Sequence, residues 1–262
     1  MPKKEEELVR IGESGGSLEV PDYLAGDSNM LGFEGMGRED MTLPRLGLCQ
    51  SMTPQRKKDM PGYIQGLEEG QWFNTITGEN YGDVVFVTPL LFYKTRIRFF
   101  PLESGGGIRC QARDFHTGVG DPGGDCDRCS LATFNGTAKP ECNKFFNYPA
   151  LAWKPNTMPG TSSLLVVSFK STGLKAAAAW NSLMQLRRKS MFTGVYRFSS
   201  VTQTNSAKQS WYAPVIKNAD WLPANLLALV KGLYETVHAA QKEGRVNVHM
   251  DQNDDANYNA EM

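Results

Sequence analysis

Apolar residues in the middle of this chain recur with the two-residue period of β-strands, and turns containing glycine or proline separate the runs. The longest run spans residues 84–100, and its second half alternates between two sets of side chains. One face carries Phe92, Lys94, Arg96, Arg98 and Phe100, and the other carries Tyr93, Thr95, Ile97 and Phe99. The pattern predicts a strand with one mixed basic and aromatic face.

Two further runs predict strands that follow a cysteine-containing loop. They are FFNYPALAW and SSLLVVSFK, and the second is apolar enough to be central in a sheet. Farther along, MFTGVYRFSSVT and SWYAPVIK predict a β-hairpin, because the polar linker QTNSAKQ joins them. Short strands are also expected around LPRLGLCQ and YIQGLEEGQWFNTITGENYG.

Two helices are expected between and after these strands. The first is expected to be capped by Ser171 or Thr172 and to carry Arg187, Arg188 and Lys189 in its last turn, where cations suit the helix dipole. Pro223 is expected to begin the second helix. Its apolar stripe is formed by Leu226, Leu229, Val230, Leu233 and Val237.

The order of these elements predicts a mainly β protein with two helices, of the α+β class. Strands joined by turns favour a small barrel over a doubly wound parallel sheet, and we expect an OB-type five-stranded barrel with an inserted zinc loop and a C-terminal helix. Three regions are expected. They are a flexible acidic arm over residues 1–40, an OB-like nucleic-acid-binding domain over 41–244 with its zinc loop at 110–142, and a flexible acidic tail over 245–262.

Charge is segregated along the chain, although the net charge is zero. Residues 1–45 contain ten acidic and five basic side chains, whereas residues 80–200 contain fifteen basic and seven acidic ones. The last thirteen residues contain four acidic side chains and no basic one. A basic body between acidic ends favours a polyanion binder. No apolar run has the roughly 20 residues needed to span a bilayer, and no signal peptide is evident, so we expect a cytoplasmic protein that does not bind membranes.

Four of the five cysteines are spaced like ligands of one metal ion. Fifteen residues separate Cys110 from Cys126, two separate Cys126 from Cys129, and twelve separate Cys129 from Cys142. A CxxC turn lets two thiolates reach one ion, and four thiolates complete a closed tetrahedron. The spacing predicts a structural zinc (Zn²⁺) site without catalytic function. Cys49 lies in an apolar run far from the loop and is expected to be a buried core residue.

Other interpretations of the cysteines stay open at this stage. His116 could replace Cys110 as the first ligand, which would give three cysteines and one histidine. The CxxC could be a redox dithiol, although those normally begin a helix after a strand, and an iron–sulfur cluster uses the same ligand type.

Single-strand binding requires cations along the phosphates and aromatic faces for the bases. On this hypothesis, Lys94, Arg96 and Arg98 neutralise phosphates, and a second set extends the path: Lys170, Lys175, Arg187, Arg188 and Lys189. The candidates for stacking are Phe92, Phe100, Tyr148, Trp153, Tyr196 and Trp211. Aromatic residues in strands are often core residues, so each of these rings could instead be buried in the core.

Several stretches resemble proteins of tailed bacteriophages. The segments FNTITGENYGDVVFVTPLLFYK, VVSFKSTGLKAAAAWNSL and VYRFSSVTQTNSAKQSWYAPVIK look like those of phage proteins that accompany replication and recombination functions. The whole arrangement resembles the replication-type single-stranded DNA-binding proteins of these phages. That resemblance implies an OB barrel, a basic aromatic groove, a zinc-binding loop in some members, and an acidic tail that recruits replication or recombination proteins.

The chain departs from that family pattern in two ways. Tails of the better-known members often end on an aromatic residue, whereas Tyr258 here lies four residues before the end. The zinc loop of the best-known member includes a histidine ligand.

Two alternatives to a DNA-binding function compete with it. An adaptor could use the zinc knuckle and acidic ends to bind another protein. A nuclease would need two or three carboxylates converging on Mg²⁺, and the basic middle of the chain offers few. No GxxxxGK[ST], HExxH or GxSxG motif occurs, so we expect a protein without enzymatic activity.

Overall fold

The computed structural model describes residues 44–134, 136, 139–157 and 162–243. The arm expected over residues 1–40 and the tail expected over 245–262 lie outside this range. No helix within the described range is long and apolar enough to cross a membrane.

Within the described range, one large sheet contains nine strands, and its paired strands run antiparallel. These strands are β4 (Val85–Pro89), β5 (Tyr93–Phe99), β6 (Ile108–Ala112), β7 (Thr117–Gly120), β8 (Gly124–Asp125), β9 (Asn143–Trp153), β10 (Ser163–Phe169), β11 (Gly194–Thr204) and β12 (Ser210–Trp221). A second, antiparallel sheet contains β1 (Leu46–Leu48), β2 (Trp72–Asn74) and β3 (Asn80–Gly82). The two runs at 145–153 and 162–170 and the hairpin at 191–217 are confirmed as strands.

Strand β9 is the centre of the large sheet. Along one edge it pairs with β10. Along the other edge, its first half pairs with β5 and its second half pairs with β4. The run at 84–100 is divided into two strands, because regular pairing with β9 is interrupted at Leu90–Phe92 and then resumes. The hairpin β11–β12 adds to β4, and β6, β7 and β8 add to β5.

Two α-helices are described, as expected. Helix α1 (Gly173–Leu186) begins after Thr172, but the Thr172 side chain makes no capping hydrogen bond, so the cap expected from Ser171 or Thr172 is absent at that position. Helix α2 (Leu227–Lys242) begins four residues after Pro223, because a short 3₁₀ turn at Ala224–Leu226 comes first.

The main core lies between the two sheets and helix α1. Trp180 of α1 is fully buried, and its ring centroid lies 4.5 Å from that of Tyr148 and 4.9 Å from that of Phe198. A second core cluster joins α2 to β9 through Val230, Trp153 and Leu222. Burial of these large apolar side chains is the principal interaction that stabilises the fold.

The structure confirms a mainly β protein with two helices, but the sheets are open, and the five-stranded OB-type barrel is not confirmed. Strand β11 pairs with β4 at three positions only, so most of the hairpin extends beyond its neighbour. Backbone and side-chain contacts connect the two sheets. Arg45 forms a parallel bridge with Val166 of β10, and the Gln50 amide bonds both the backbone N–H and C=O of Tyr212 in β12 at 2.8 Å.

Candidate nucleic-acid surface and cysteine site

An exposed lysine between aromatic rings is the main feature of the predicted basic face. Pairing of β5 with β9 places Lys94 opposite Phe146, and Arg96 opposite Lys144, on one face of the sheet. The Lys94 Nζ atom lies 5.4 Å from the ring centroids of both Phe115 and Phe146, which is cation–π distance. We call Phe92, Lys94, Phe115, Lys144 and Phe146 the Lys94 surface.

The rings of the Lys94 surface are partly exposed. Phe92 packs edge-on against Phe146 with centroids 5.4 Å apart, and both contact the main core at one side. Lys144 is exposed two residues before Phe146 on the same face of β9. The arrangement presents two cations beside aromatic rings, the combination that attracts a single strand of nucleic acid.

Arg96 and Arg98 do not share this exposure, because the cysteine loop covers their part of the face. Arg96 is 6% exposed. Its Nε atom donates to the Phe115 carbonyl at 3.0 Å, and its guanidinium lies 4.1 Å from the Phe115 ring centroid. Arg98 is bound by the Glu141 carboxylate, with Nε to Oε2 at 2.9 Å. Both arginines are therefore engaged within the protein.

Three predicted stacking residues lie in the core. Tyr148, Trp153 and Tyr196 are at most 5% exposed, and the Tyr148 hydroxyl donates to Asn181 Oδ1 at 2.9 Å. Burial raises the pKa of Tyr148 far above its usual value. These rings fill the space between sheet and helices, so they are not on the surface. Trp211 is half-buried in β12, and Phe100 is exposed at the end of β5.

The second set of predicted cations is dispersed. Lys175 is exposed on α1, and Arg188 and Lys189 are exposed just after it. Arg187 instead stacks on Trp221, with 3.8 Å from its guanidinium carbon to the ring centroid, and donates to the Asp220 carbonyl at 2.7 Å. Lys170 is buried at 8% exposure, at the end of β10.

The fold brings the four predicted metal ligands together at one end of the large sheet. Cys110 lies in β6, opposite Gly120 of β7, and Cys142 directly precedes β9. Cys126 follows β8, and its backbone N–H donates to the His116 carbonyl at 2.8 Å. Cys129 begins a short 3₁₀ turn at Ser130–Ala132. All four are free thiols.

Gly118 leaves the space in which two of these thiols approach each other. A Cβ atom added at Gly118 would lie 3.0 Å from Cys110 Sγ and 3.5 Å from Cys126 Sγ. The pKa of the Cys142 thiol is raised to about 11, chiefly by burial and less by the neighbouring Cys126, Cys110 and Cys129, while Arg96 opposes the increase. The cysteines are thus close electrostatic neighbours.

No group of three or more histidine, cysteine, aspartate or glutamate side chains in the described part of the chain is arranged to hold a metal ion. The sulfur atoms would have to move together around an ion. His116 is exposed, and its Nδ1 atom lies 2.8 Å from the Asp127 carboxylate. Cys110 and Cys129 are both charge neighbours of Cys126 and of Cys142.

Sequence reasoning missed Phe115 and underestimated Phe146. Phe115 lies in the loop between β6 and β7 with a φ of 74°, a left-handed conformation that is unusual for a bulky residue. No periodic pattern marks a loop residue of this kind. The Asp114 carboxylate, which accepts hydrogen bonds from the N–H groups of His116 and Thr117, marks the turn but not the position of the ring.

Comparison with known proteins identifies a family. The sequence model of a family described as Pam3 phage gp34-like protein matches residues 13–243. No curated protein and no solved structure matches the chain significantly. The matched range includes both sheets, both helices and all five cysteines.

Proposed function

This chain belongs to the Pam3 phage gp34-like protein family, a bacteriophage protein family, and from that premise we propose that it is a non-catalytic, sequence-tolerant single-stranded DNA-binding protein. It acts in phage DNA replication or recombination in the host cytoplasm. The observation that carries the proposal is the exposed Lys94 ammonium between the Phe115 and Phe146 rings. Phosphates approach Lys94 and Lys144, while bases stack on the exposed parts of the rings.

The links between the two sheets support an OB-type arrangement in this proposal. The order β1, β10, β9, β4, β11, β12 returns to the residues after β1 through the Gln50 amide. Trp180 of α1 packs against Tyr148 of β9 and Phe198 of β11, two strands of this series. OB-type barrels bind oligonucleotides across a strand face and its loops, and we propose the same use for the Lys94 surface, which joins β9 to its neighbour β5.

The acidic side chains near this surface favour binding over phosphodiester hydrolysis. Asp121 Oδ2 accepts from Arg109 Nε at 2.7 Å, Asp127 contacts His116 and Arg96, and Asp125 Oδ1 accepts from the Asp127 N–H. Each of these carboxylates stabilises a turn or pairs with a cation. A nuclease would instead direct two or three of them at a shared Mg²⁺.

The Lys94→Met variant tests the proposed surface directly. It keeps the aliphatic stem and removes the charge, so we expect several-fold weaker binding of oligo(dT) and a salt-dependence slope smaller by about 0.7, the value of one single-strand phosphate contact. Fluorescence anisotropy with a labelled oligonucleotide measures both quantities.

Lys231→Met is the matched control, because Lys231 is exposed on α2 and pairs only weakly with Glu235, at 3.9 Å. This variant keeps the affinity and slope of the unmodified protein. An unchanged slope in Lys94→Met would remove Lys94 from the interface.

For the cysteine site, we propose that Cys110, Cys126, Cys129 and Cys142 bind one structural Zn²⁺. The support is chemical: four free thiols, three of them buried, gather at one end of the sheet with Gly118 leaving room between two of them. Zn²⁺ suits four thiolates, and Arg96 offsets part of their negative charge. The ion would fix the loop that covers Arg96 and that carries Phe115.

Metal analysis of the purified protein tests the zinc proposal. We expect about one Zn²⁺ per chain, lost when Cys126 and Cys129 are both changed to serine. Cys49→Ala is the control, because Cys49 is buried in a separate cluster with Ile64, Leu67 and Phe73, and this variant retains the metal. Zinc-free protein with four reduced thiols would contradict the proposal. Bound iron would show that the cysteines hold an iron–sulfur cluster and not zinc.

A further inference from the structure

Two cations lie directly opposite each other on the hairpin β11–β12, apart from the Lys94 surface. The register of the hairpin pairs Arg197 of β11 with Lys217 of β12, and both residues are exposed. Opposite residues of an antiparallel pair carry their side chains on the same face, with Cβ atoms about 5 Å apart. Like charges in this position repel each other and destabilise the pairing. A ligand with negative charge would relieve this repulsion.

The protein does not compensate these two charges within its described residues. No carboxylate among those residues forms an ion pair with Arg197 or Lys217. The other residues on this face of the hairpin are uncharged, and they are Ser199, Val201, Gln203, Trp211, Ala213 and Val215. A face that carries charge of one sign attracts a partner of the opposite sign.

An aromatic ring continues the row of cations across the sheet. Arg197 pairs with Phe86 of β4, and Phe86 pairs with Trp153 of β9, so these residues share one face with Lys217. Trp153 is buried beneath α2, whereas Phe86 is half-buried, and the two ring centroids lie 6.3 Å apart. We call Phe86, Arg197 and Lys217 the Arg197 surface. It combines exposed cations with a partly exposed ring, as single-strand binding requires.

The Arg197 surface and the Lys94 surface lie on opposite faces of the large sheet. Strand β9 shows this, because Phe146 belongs to the Lys94 surface and Trp153 lies in the row of the Arg197 surface. The two residues are seven positions apart, an odd number, so their side chains point to opposite faces, about 23 Å apart along the strand. A ligand that contacts both surfaces must be long and must bend sharply. Double-stranded DNA is too stiff for this, since its persistence length is about 150 base pairs.

We propose that Arg197 and Lys217 bind phosphates of the same DNA strand that occupies the Lys94 surface with another segment. The inference rests on the proposed single-stranded DNA binding and adds a second contact surface to it. A base beside the bound phosphates stacks on the exposed part of Phe86. The strand thus passes from one face of the sheet to the other. OB folds cover roughly 4–16 nucleotides of a single strand, and this path places the protein near the upper end of that range.

Oligonucleotides of two lengths test the second surface. The double variant Arg197→Met/Lys217→Met removes both charges and keeps aliphatic side chains. For an oligo(dT) of about 30 nucleotides, we expect roughly tenfold weaker binding and a salt-dependence slope smaller by about 1.4, the value of two phosphate contacts. For an oligo(dT) of about 6 nucleotides, we expect a change of no more than about twofold, because the Lys94 surface still binds it. Fluorescence anisotropy measures both affinities.

Two further variants separate this surface from a general effect of charge. Lys57→Met/Lys58→Met removes two exposed charges in the loop after β1, and we expect it to bind both oligonucleotides as the unmodified protein does. Lys217→Glu places a carboxylate opposite Arg197, so we expect a higher Tm without DNA but weaker binding of the longer oligonucleotide. Unchanged affinity of Lys217→Glu for the longer oligonucleotide would contradict a phosphate contact at this position.

The two lengths also distinguish failure of this inference from failure of the proposed function. If the double variant binds the longer oligonucleotide as tightly as the unmodified protein does, the second surface is overturned and DNA binding remains. An equal loss of affinity for both lengths would overturn the inference as well, because the two surfaces would then not bind separate segments. If the unmodified protein binds neither length, the proposed function fails, and the second surface fails with it.

Discussion

Lys94 and Arg96 are two residues apart on one strand face, but they have opposite environments. Lys94 is exposed, whereas Arg96 lies under the cysteine loop and bonds the Phe115 carbonyl. An alternating pattern assigns residues to a face of a sheet, but it does not show which part of that face another segment covers. The covering segment here is an insertion of irregular sequence, so its position could not be obtained from periodicity.

Arg96 is expected to stabilise the fold, in contrast to Lys94. Arg96→Met leaves the Phe115 and Ala132 carbonyls without their cationic donor, and we expect it to lower the free energy of unfolding by about 2 kcal/mol. Lys94→Met removes only exposed cation–π contacts and is expected to cost less than about 1 kcal/mol. Urea denaturation of both variants measures the difference. Equal stabilities would show that Arg96 is not a structural residue.

The aromatic residues show the same limit of sequence reasoning. Tyr148, Trp153 and Tyr196 lie on strands beside basic residues, which made them candidates for stacking, yet all three are core residues. Large rings fill cores and also stack on bases, so residue type alone does not distinguish the two uses. The cysteines differ, because their spacing predicts one shared site, and the fold places Cys110 and Cys126 beside Gly118 with Cys129 and Cys142 as their charge neighbours.

At the scale of elements, the sequence predicted the strands and helices better than their connections. The run at 84–100 reads as one strand because its residues are almost all apolar or alternating, but the chain divides into β4 and β5 at Leu90–Phe92. Both strands remain partners of β9. Pairing partners far apart in sequence are set by tertiary contacts, which a local pattern does not contain.

The Gln50 amide is the element-scale feature that no pattern indicated. Gln50 is 3% exposed, and it donates to and accepts from the Tyr212 backbone as a neighbouring strand would. It covers part of the edge of β12, where unpaired backbone groups would otherwise be open to another chain.

Loss of this amide is expected to loosen the edge of β12. Gln50→Ala leaves the Tyr212 N–H and C=O unpaired in a half-buried position, so we expect a loss of about 1–3 kcal/mol in the free energy of unfolding and faster hydrogen exchange at Tyr212. Gln203→Ala, at an exposed position of β11, is the control and leaves both quantities unchanged. Unaltered exchange at Tyr212 in Gln50→Ala would show that the amide does not close the edge.

At the scale of the molecule, composition and pattern together gave the fold class but not the closure of the sheet. The mainly β architecture with two helices follows from alternating runs, glycine turns and two apolar stripes. Whether strands close into a barrel depends on shear and on the pairing of distant edge strands. In this protein the Gln50 amide and the Arg45–Val166 bridge make contacts between the two sheets where such pairing would occur. Charge segregation is visible in the sequence, whereas its position on the surface is visible only in the fold.

The central claim is that the whole molecule binds single-stranded DNA through phosphates and stacked bases. Titration of the unmodified protein with oligo(dT), followed by quenching of tryptophan fluorescence at two salt concentrations, tests it most directly. We expect quenching at low salt and an affinity that falls steeply as the salt concentration increases. Absence of binding at low salt would contradict the account and favour a protein-binding adaptor.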